Sequence, residues 1–144
     1  LVEDAGALVV VDRFCFGSTP GREEIHLDPD LPVLESIARH YLNTSQCPRF
    51  MQREKVDGRW QLVRDLCAEY HAQGVLYEQL KFCEYWGYER AQAAQWMRDG
   101  FSLPGTLPVC QIEKDYTNAA TGQLRTRFQA FVESLEIKRI QSER

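Results

Sequence analysis

The 144-residue sequence has no apolar run near the roughly 20 residues a bilayer-spanning helix needs, so no membrane partner is expected. It has no basic leader. The opening "LVEDAGALVVVD" is acidic, which argues against a secretory signal and makes a reducing, cytoplasmic setting the default. Its cysteines, at positions 15, 47, 67, 83 and 110, include no CxxC pair, and their number is odd. Those two absences exclude a secreted disulfide framework and a self-contained zinc site, which needs closely spaced ligand pairs. There is no surplus of positive charge either. A net charge of −4 gives no attraction for nucleic acid. No internal repeat or low-complexity stretch occurs.

What remains is an ordinary globular composition, 44% hydrophobic and 26% charged, in a chain long enough for one cored domain and too short for two. The chain does not start with Met, and "LVEDAG" reads as a last helical turn with Gly6 at a left-handed cap. We therefore expect residues 1–144 to be one α/β domain, the carboxyl-terminal part of a longer subunit.

Three short apolar runs read as strands: "GALVVVD" (6–12), "VLYEQLKF" (75–82) and "VCQIE" (109–113). Helical spacing marks four helices. The first covers about Leu31 to Leu42, with Leu34, Ile37, Ala38 and Tyr41 on one face. The second, in "GRWQLVRDLCAEYHAQ", aligns Val63, Leu66, Cys67 and Tyr70 and is expected to stop at Gly74. The third covers roughly Tyr85 to Arg98, and the last buries Leu124, Phe128, Phe131, Val132 and Leu135. Strands separated by helices imply right-handed crossovers in a parallel sheet. The expected fold is α/β, a three-layer Rossmann- or flavodoxin-like parallel sheet with flanking helices. Ligands in such sheets collect outside the carboxyl ends of the strands. Two of the three loops expected there, "RFCFGS" and "KFCEYWG", carry a cysteine.

Each motif has a plain structural reading beside the functional one. Free cysteine is more often a small buried hydrophobe than a reactive group; Cys67 and Cys110 are read that way. Lys81, beside Cys83, can be a strand-end charge reaching water. His26, His40 and His71 form no pattern with a nucleophile. "CFGSTPGRE" lacks the lysine and serine/threonine end of a phosphate loop. "TGQLRTR" opens a helix at Gly122 with Arg125 and Arg127 in its first turns, where amides and cations could meet an anion. A normal helix start followed by solvated arginines explains it as well.

"GVLYEQLKFCEYWGYE" followed by "PVCQIEKDYTNAATGQLRTRFQAFVESL" closely resembles the carboxyl-terminal domain of the 2-hydroxyacyl-CoA dehydratase and benzoyl-CoA reductase family. The resemblance lies in strand-KFC, then I-E-x-D-Y, then G-Q-L-R-T-R-x-Q-A-F-x-E, in that order. "DAGALVVVDRFCFGS" is similar to the family as well, so the likeness covers nearly the whole chain.

The resemblance implies an oxygen-sensitive anaerobic enzyme built from two related subunits, each holding a [4Fe-4S] cluster through cysteine thiolates. It also implies a separate iron–sulfur activator that hydrolyses ATP, a ferredoxin as electron source, and an acyl-CoA substrate reduced to a ketyl-type radical. Cys83 matches the KFC cysteine and is the expected cluster ligand, since thiolates are the natural ligands of such clusters. Cys15 is the reserve, because its loop is expected at the same sheet edge. Gly122 and Arg125 are expected to help place the anionic acyl-CoA or to support the subunit contact. "LKFCEYWGYE" and "ESLEIKRIQ" depart from the KFC-D-P wording of dehydratases and lean the reading to benzoyl-CoA reductase, within anaerobic aromatic degradation. A 2-hydroxyacyl-CoA dehydratase subunit, a cluster-free interaction domain and a simple CoA or nucleotide binder stand as alternatives.

Overall fold

The structure is a computed structural model. It describes residues 1–15, 18, 21–44, 47, 49, 55–98, 107–117 and 121–142, without the side chains of 57 and 93–98. Two compact units divide the chain: Leu1–Val10 with Val63–Arg144, and Val11–Leu62.

In the Val11–Leu62 unit, side chains satisfy the backbone where no ladder does. The Asp12 carbonyl accepts from Arg22 Nη2 at 2.7 Å and from Ser18 Oγ at 3.2 Å. Ser18 Oγ also donates to the Asp12 carboxylate. Helix α1 spans Val33–Thr44, two residues later than the spacing predicts. Pro32 ends the preceding loop, and its carbonyl accepts from Glu35 N at 2.9 Å and Ser36 N at 3.0 Å. The expected apolar stripe of α1 is not a buried one: Leu34 is 81% exposed, and Tyr41 is exposed as well. The buried residue is Ser36, whose Oγ accepts from Asp28 N at 3.2 Å. Periodicity shows which side chains share a face, and something must still cover that face. Helix α2, Lys55–Glu69, begins in this unit.

In the other unit a 3-10 turn at Glu3–Ala5 ends at Gly6 with φ 93°, the left-handed cap expected there, and Gly6 N donates to Glu3 O at 3.0 Å. The run after it corrects the reading of residues 6–12 as a strand. No residue from 7 to 12 is in a strand, and Leu8, Val9 and Val10 are 74%, 53% and 42% exposed. A strand is defined by a hydrogen-bonded neighbour, and the apolar run has none among the described residues.

The end of α2 is a second correction. The helix stops at Glu69, and His71 takes the left-handed position at φ 51°. Ala72 N donates to Cys67 O at 2.9 Å and His71 N to Ala68 O at 3.3 Å, the paired bonds of a Schellman cap. Gly74 serves a different purpose. A Cβ there would lie 2.8 Å from Phe131 Cζ and 3.0 Å from Leu135 Cδ2, so its bareness admits the last helix.

Strand β1 (Val75–Leu80), helix α3 (Glu84–Arg98) and strand β2 (Val109–Lys114) form a parallel β–α–β unit. The register runs from Val75 opposite Val109 to Leu80 opposite Lys114. Among the described residues this pair is the whole sheet. The fold is thus mixed α/β with a small, open parallel sheet.

Alternation sends Tyr77, Gln79, Gln111 and Glu113 to one face. There Tyr77 Oη donates to Trp86 O at 3.3 Å and Gln111 Nε2 to Arg90 O at 3.3 Å, while Arg90 pairs with Glu113 at 3.5 Å. Helix α3 is therefore fastened through its own carbonyls. The other face carries Cys110 and Ile112, the latter 1% exposed. Helix α4, Thr121–Ser142, packs against β2, and its Arg127 lies close enough to act on the Cys110 thiol. From Gly122 to Ser142 only Leu124, Phe128, Phe131, Val132 and Leu135 escape full exposure, the five positions the spacing selects.

Candidate functional site at the carboxyl end of the strand pair

Beyond Leu80 the two strands stay coupled for one more residue. Lys81 N donates to Lys114 O at 2.7 Å, and Lys81 Nζ pairs with Asp115 at 3.4 Å. Lys81 is thus more than a charge reaching water, although at 47% side-chain exposure the pair is a weak fastening. Asp115 also accepts from Thr117 N at 2.8 Å and Thr117 Oγ1 at 2.5 Å. Those two bonds, with Lys81 after them, hold its carboxyl below the usual carboxylate range.

Phe82 then turns the chain. Its φ of 67° is unusual for a residue with a side chain, and the ring is 95% exposed. Tyr116, two residues past Lys114 as Phe82 is two past Leu80, is 87% exposed. Two bare aromatic side chains therefore stand at the strand ends.

Cys83 follows the turn, half-buried, and its backbone is fully engaged. Its N–H donates to Leu80 O at 3.1 Å. Its carbonyl accepts from Gly87 N at 3.0 Å, the first bond of α3, which makes Cys83 the N-cap residue of that helix. The same carbonyl accepts from Gln79 Nε2 at 3.4 Å. A cysteine so held presents its sulfur from a rigid strand-to-helix joint.

The other cysteines differ. Cys67 is buried and Cys110 half-buried, and burial pushes both thiols up, with Arg127 opposing the rise at Cys110. They suit packing, as expected. Cys15 is exposed in the Val11–Leu62 unit, and the strand meant to carry its loop to the sheet edge is not formed. None of the five cysteines is in a disulfide. Among the described residues no group of three or more His, Cys, Asp or Glu could hold a metal ion. Gly122 lies in the first turn of α4 with open space around its Cα, and Arg125, one turn on, is exposed. Residues 118–120, which lead into that helix, lie outside the described residues.

Three participants escaped the sequence reading. Gln79, Gly87 and Asp115 each have an ordinary explanation in one dimension: a polar strand residue, a weak helix former and a loop carboxylate. The available signal was the "IEKDY" wording around Asp115. Nothing in the spacing marks Gln79 and Gly87 as neighbours.

The chain thus carries a parallel β–α–β unit with a cysteine just past the carboxyl end of its first strand, the edge at which open α/β sheets collect ligands. The family model for 2-hydroxyglutaryl-CoA dehydratase, D-component, matches residues 1–135, and the chain belongs to that family. No curated protein matches it at significant similarity. Membership makes it a component of an acyl-CoA dehydratase-type enzyme, a multi-component system with a partner subunit and an acyl-CoA substrate. Among the described residues, no helix is long and apolar enough to cross a membrane.

Proposed function

We propose that the chain is the carboxyl-terminal part of a cytoplasmic iron–sulfur subunit that acts on an acyl-CoA thioester, and that Cys83 is one thiolate ligand of its [4Fe-4S] cluster. The carrying observation is the strand-to-helix joint that fixes the KFC cysteine at the carboxyl end of the sheet, in a chain of this family. A single half-buried thiol fits a cluster that draws further thiolates from elsewhere in the subunit. When bound, such a cluster supplies a low-potential electron, delivered in this reading by a separate ATP-hydrolysing activator and ultimately by a ferredoxin.

The chain's own residues orient and bind. Phe82, next to Cys83 in the chain, and Tyr116 offer apolar surface at the strand ends. The amide-rich start of α4 at Gly122, together with Arg125, favours the anionic part of the acyl-CoA. A homologous second subunit completes the enzyme, and the parallel pair becomes part of a wider three-layer, flavodoxin-like sheet. Parallel strands are ordinarily covered on both faces and grouped in larger sheets, which supports that expansion.

Within the family two chemistries compete. "LKFCEYWGYE" departs from the KFC-D-P wording, and this favours reduction of an aromatic acyl-CoA of the benzoyl-CoA type over dehydration of a 2-hydroxyacyl-CoA. Anaerobic purification of the complete subunit with its partner and activator, then assay on both thioesters, decides between them. Cys83→Ser should lose iron, acid-labile sulfide and turnover while keeping its circular dichroism. Wild-type iron content in that variant would remove Cys83 from the ligand set.

A further inference from the structure

The joint that carries Cys83 has a support that neither the family match nor the sequence motif assigns. Gln79 is the last residue but one of β1, on the face that receives α3, and its Nε2 donates to Cys83 O at 3.4 Å. The amide head occupies a definite space. A Cβ built on Gly87 would sit 2.8 Å from Gln79 Nε2, 3.6 Å from Cδ and 3.9 Å from Oε1. Gly87 is itself the residue whose N–H closes the first turn of α3 on that same Cys83 carbonyl, at 3.0 Å. One carbonyl therefore takes two donors, and the second donor stands where a side chain on the residue supplying the first would begin.

We infer that Gln79 is a positioning residue for the Cys83 thiol, seated by the bare helix position at Gly87. The inference rests on the reading of Cys83 as a functional thiol. The geometry gives it direction. Phe82 is in the left-handed region, so the turn into Cys83 is not a resting conformation of its sequence and needs outside restraint. The Cys83 N–H bond to Leu80 O restrains the chain from the strand side, and Gln79 restrains it from the sheet face. Without the amide, the peptide plane after Cys83 is held only by the helix's own first bond, the part of a helix most prone to fray. The Cα–Cβ vector of Cys83 then samples more orientations. Tyr77 and Gln111 also donate to α3 carbonyls, but to those of Trp86 and Arg90 rather than that of Cys83. They are the natural controls.

The test is peptide-resolved alkylation by iodoacetamide in the complete subunit, stripped of iron under anaerobic conditions, for Gln79→Met, Gly87→Ala and the double variant. Methionine keeps the length of glutamine and removes its amide, and with it the donor to Cys83 O. Gln79→Met should change the Cys83 rate by about fivefold, the population shift one neutral hydrogen bond commands. Rates at Cys67 and Cys110 should stay at wild type. Gly87→Ala should reproduce the change by displacing the amide, and in the Gln79→Met background it should add nothing further. Additive effects of the two substitutions, a parallel change at Cys67 and Cys110, or an equal change in Tyr77→Phe would each overturn the lock.

The holoenzyme supplies a second readout. The electron paramagnetic resonance line of the reduced cluster should broaden in Gln79→Met and Gly87→Ala and stay unchanged in Tyr77→Phe. The two readings fail separately. If Cys83→Ser keeps its iron, ligation is wrong while the alkylation coupling stands. If Cys83→Ser loses iron and the alkylation rates ignore Gln79, the lock alone is wrong.

Discussion

The two faces of the β1–β2 pair are held by different forces. On the α3 face, Tyr77 and Gln111 spend hydroxyl and amide protons on helix carbonyls, and Arg90 pairs with Glu113. On the other face Ile112 is sealed from water, and the nearby helix α4 buries Phe128 and Val132. Apolar burial is non-directional and sums with area, whereas each neutral hydrogen bond adds little net stability but fixes an orientation. The comparison teaches a division of labour. The apolar face should carry the stability of the unit, and the polar face should fix how the body of α3, around Trp86 and Arg90, lies on the sheet.

The largest expected effect comes from emptying the apolar face. Ile112→Ala should cost about 2–5 kcal/mol in urea unfolding, the range for a buried aliphatic truncated in a core. A loss under ~1 kcal/mol would mean that this face does not bear the load. Next is Gly74→Ala, whose new methyl meets Phe131 and Leu135 on the close approach of α4. It should destabilise by about 1–3 kcal/mol, the cost of overpacking, visible as a lower thermal midpoint. An unchanged midpoint would show that α4 yields easily.

On the polar face, Tyr77→Phe removes one donor to Trp86 O and should cost about 0.5–1.5 kcal/mol. If it equals Ile112→Ala, the two faces do not differ in kind. The smallest effect is at the strand ends. Asp115 is held below the usual carboxylate range in the folded protein, first by Thr117 and then by Lys81. Its contribution is therefore present above the ordinary carboxylate pKa of about 3.9 and is lost as pH falls through the depressed folded value. Unfolding profiles of wild type and Asp115→Asn should converge on acidification. Curves that stay parallel below pH 4 would show that the pairing contributes nothing.

Much of this was legible in the sequence, for a physical reason. Helix α4 is read correctly because its five apolar positions recur at helical spacing and all turn inward. β1 and β2 are read correctly because apolar runs in a β–α–β order do find each other. "GALVVVD" has the same appearance and fails, since periodicity cannot supply the neighbour that completes a ladder. Leu34 and Tyr41 fail similarly: they align on α1 and stay exposed. His71 displaced Gly74 as the stop of α2 because its left-handed conformation completes the cap, and the glycine was needed for close packing. For the site, Cys83 was visible through its motif. The Gln79–Gly87 contact joins a strand to a helix through space, and no spacing rule encodes it.

The parallel pairing also dictates an order of events while the chain is being made. An antiparallel hairpin can zip as soon as its turn appears, but Val75 must wait for Val109. On the ribosome, β1 emerges first, then all of α3, and only then the strand that completes its ladder. Through that interval the backbone of Val75–Leu80 lacks the ladder it forms with Val109–Lys114, and Leu76 and Leu80 have no finished layer to enter. Closing so long a loop before any ladder bond forms makes this step slow compared with helix formation, which takes microseconds. The rate at which residues 109–114 arrive thus sets how long a nascent β1 stays open to wrong partners.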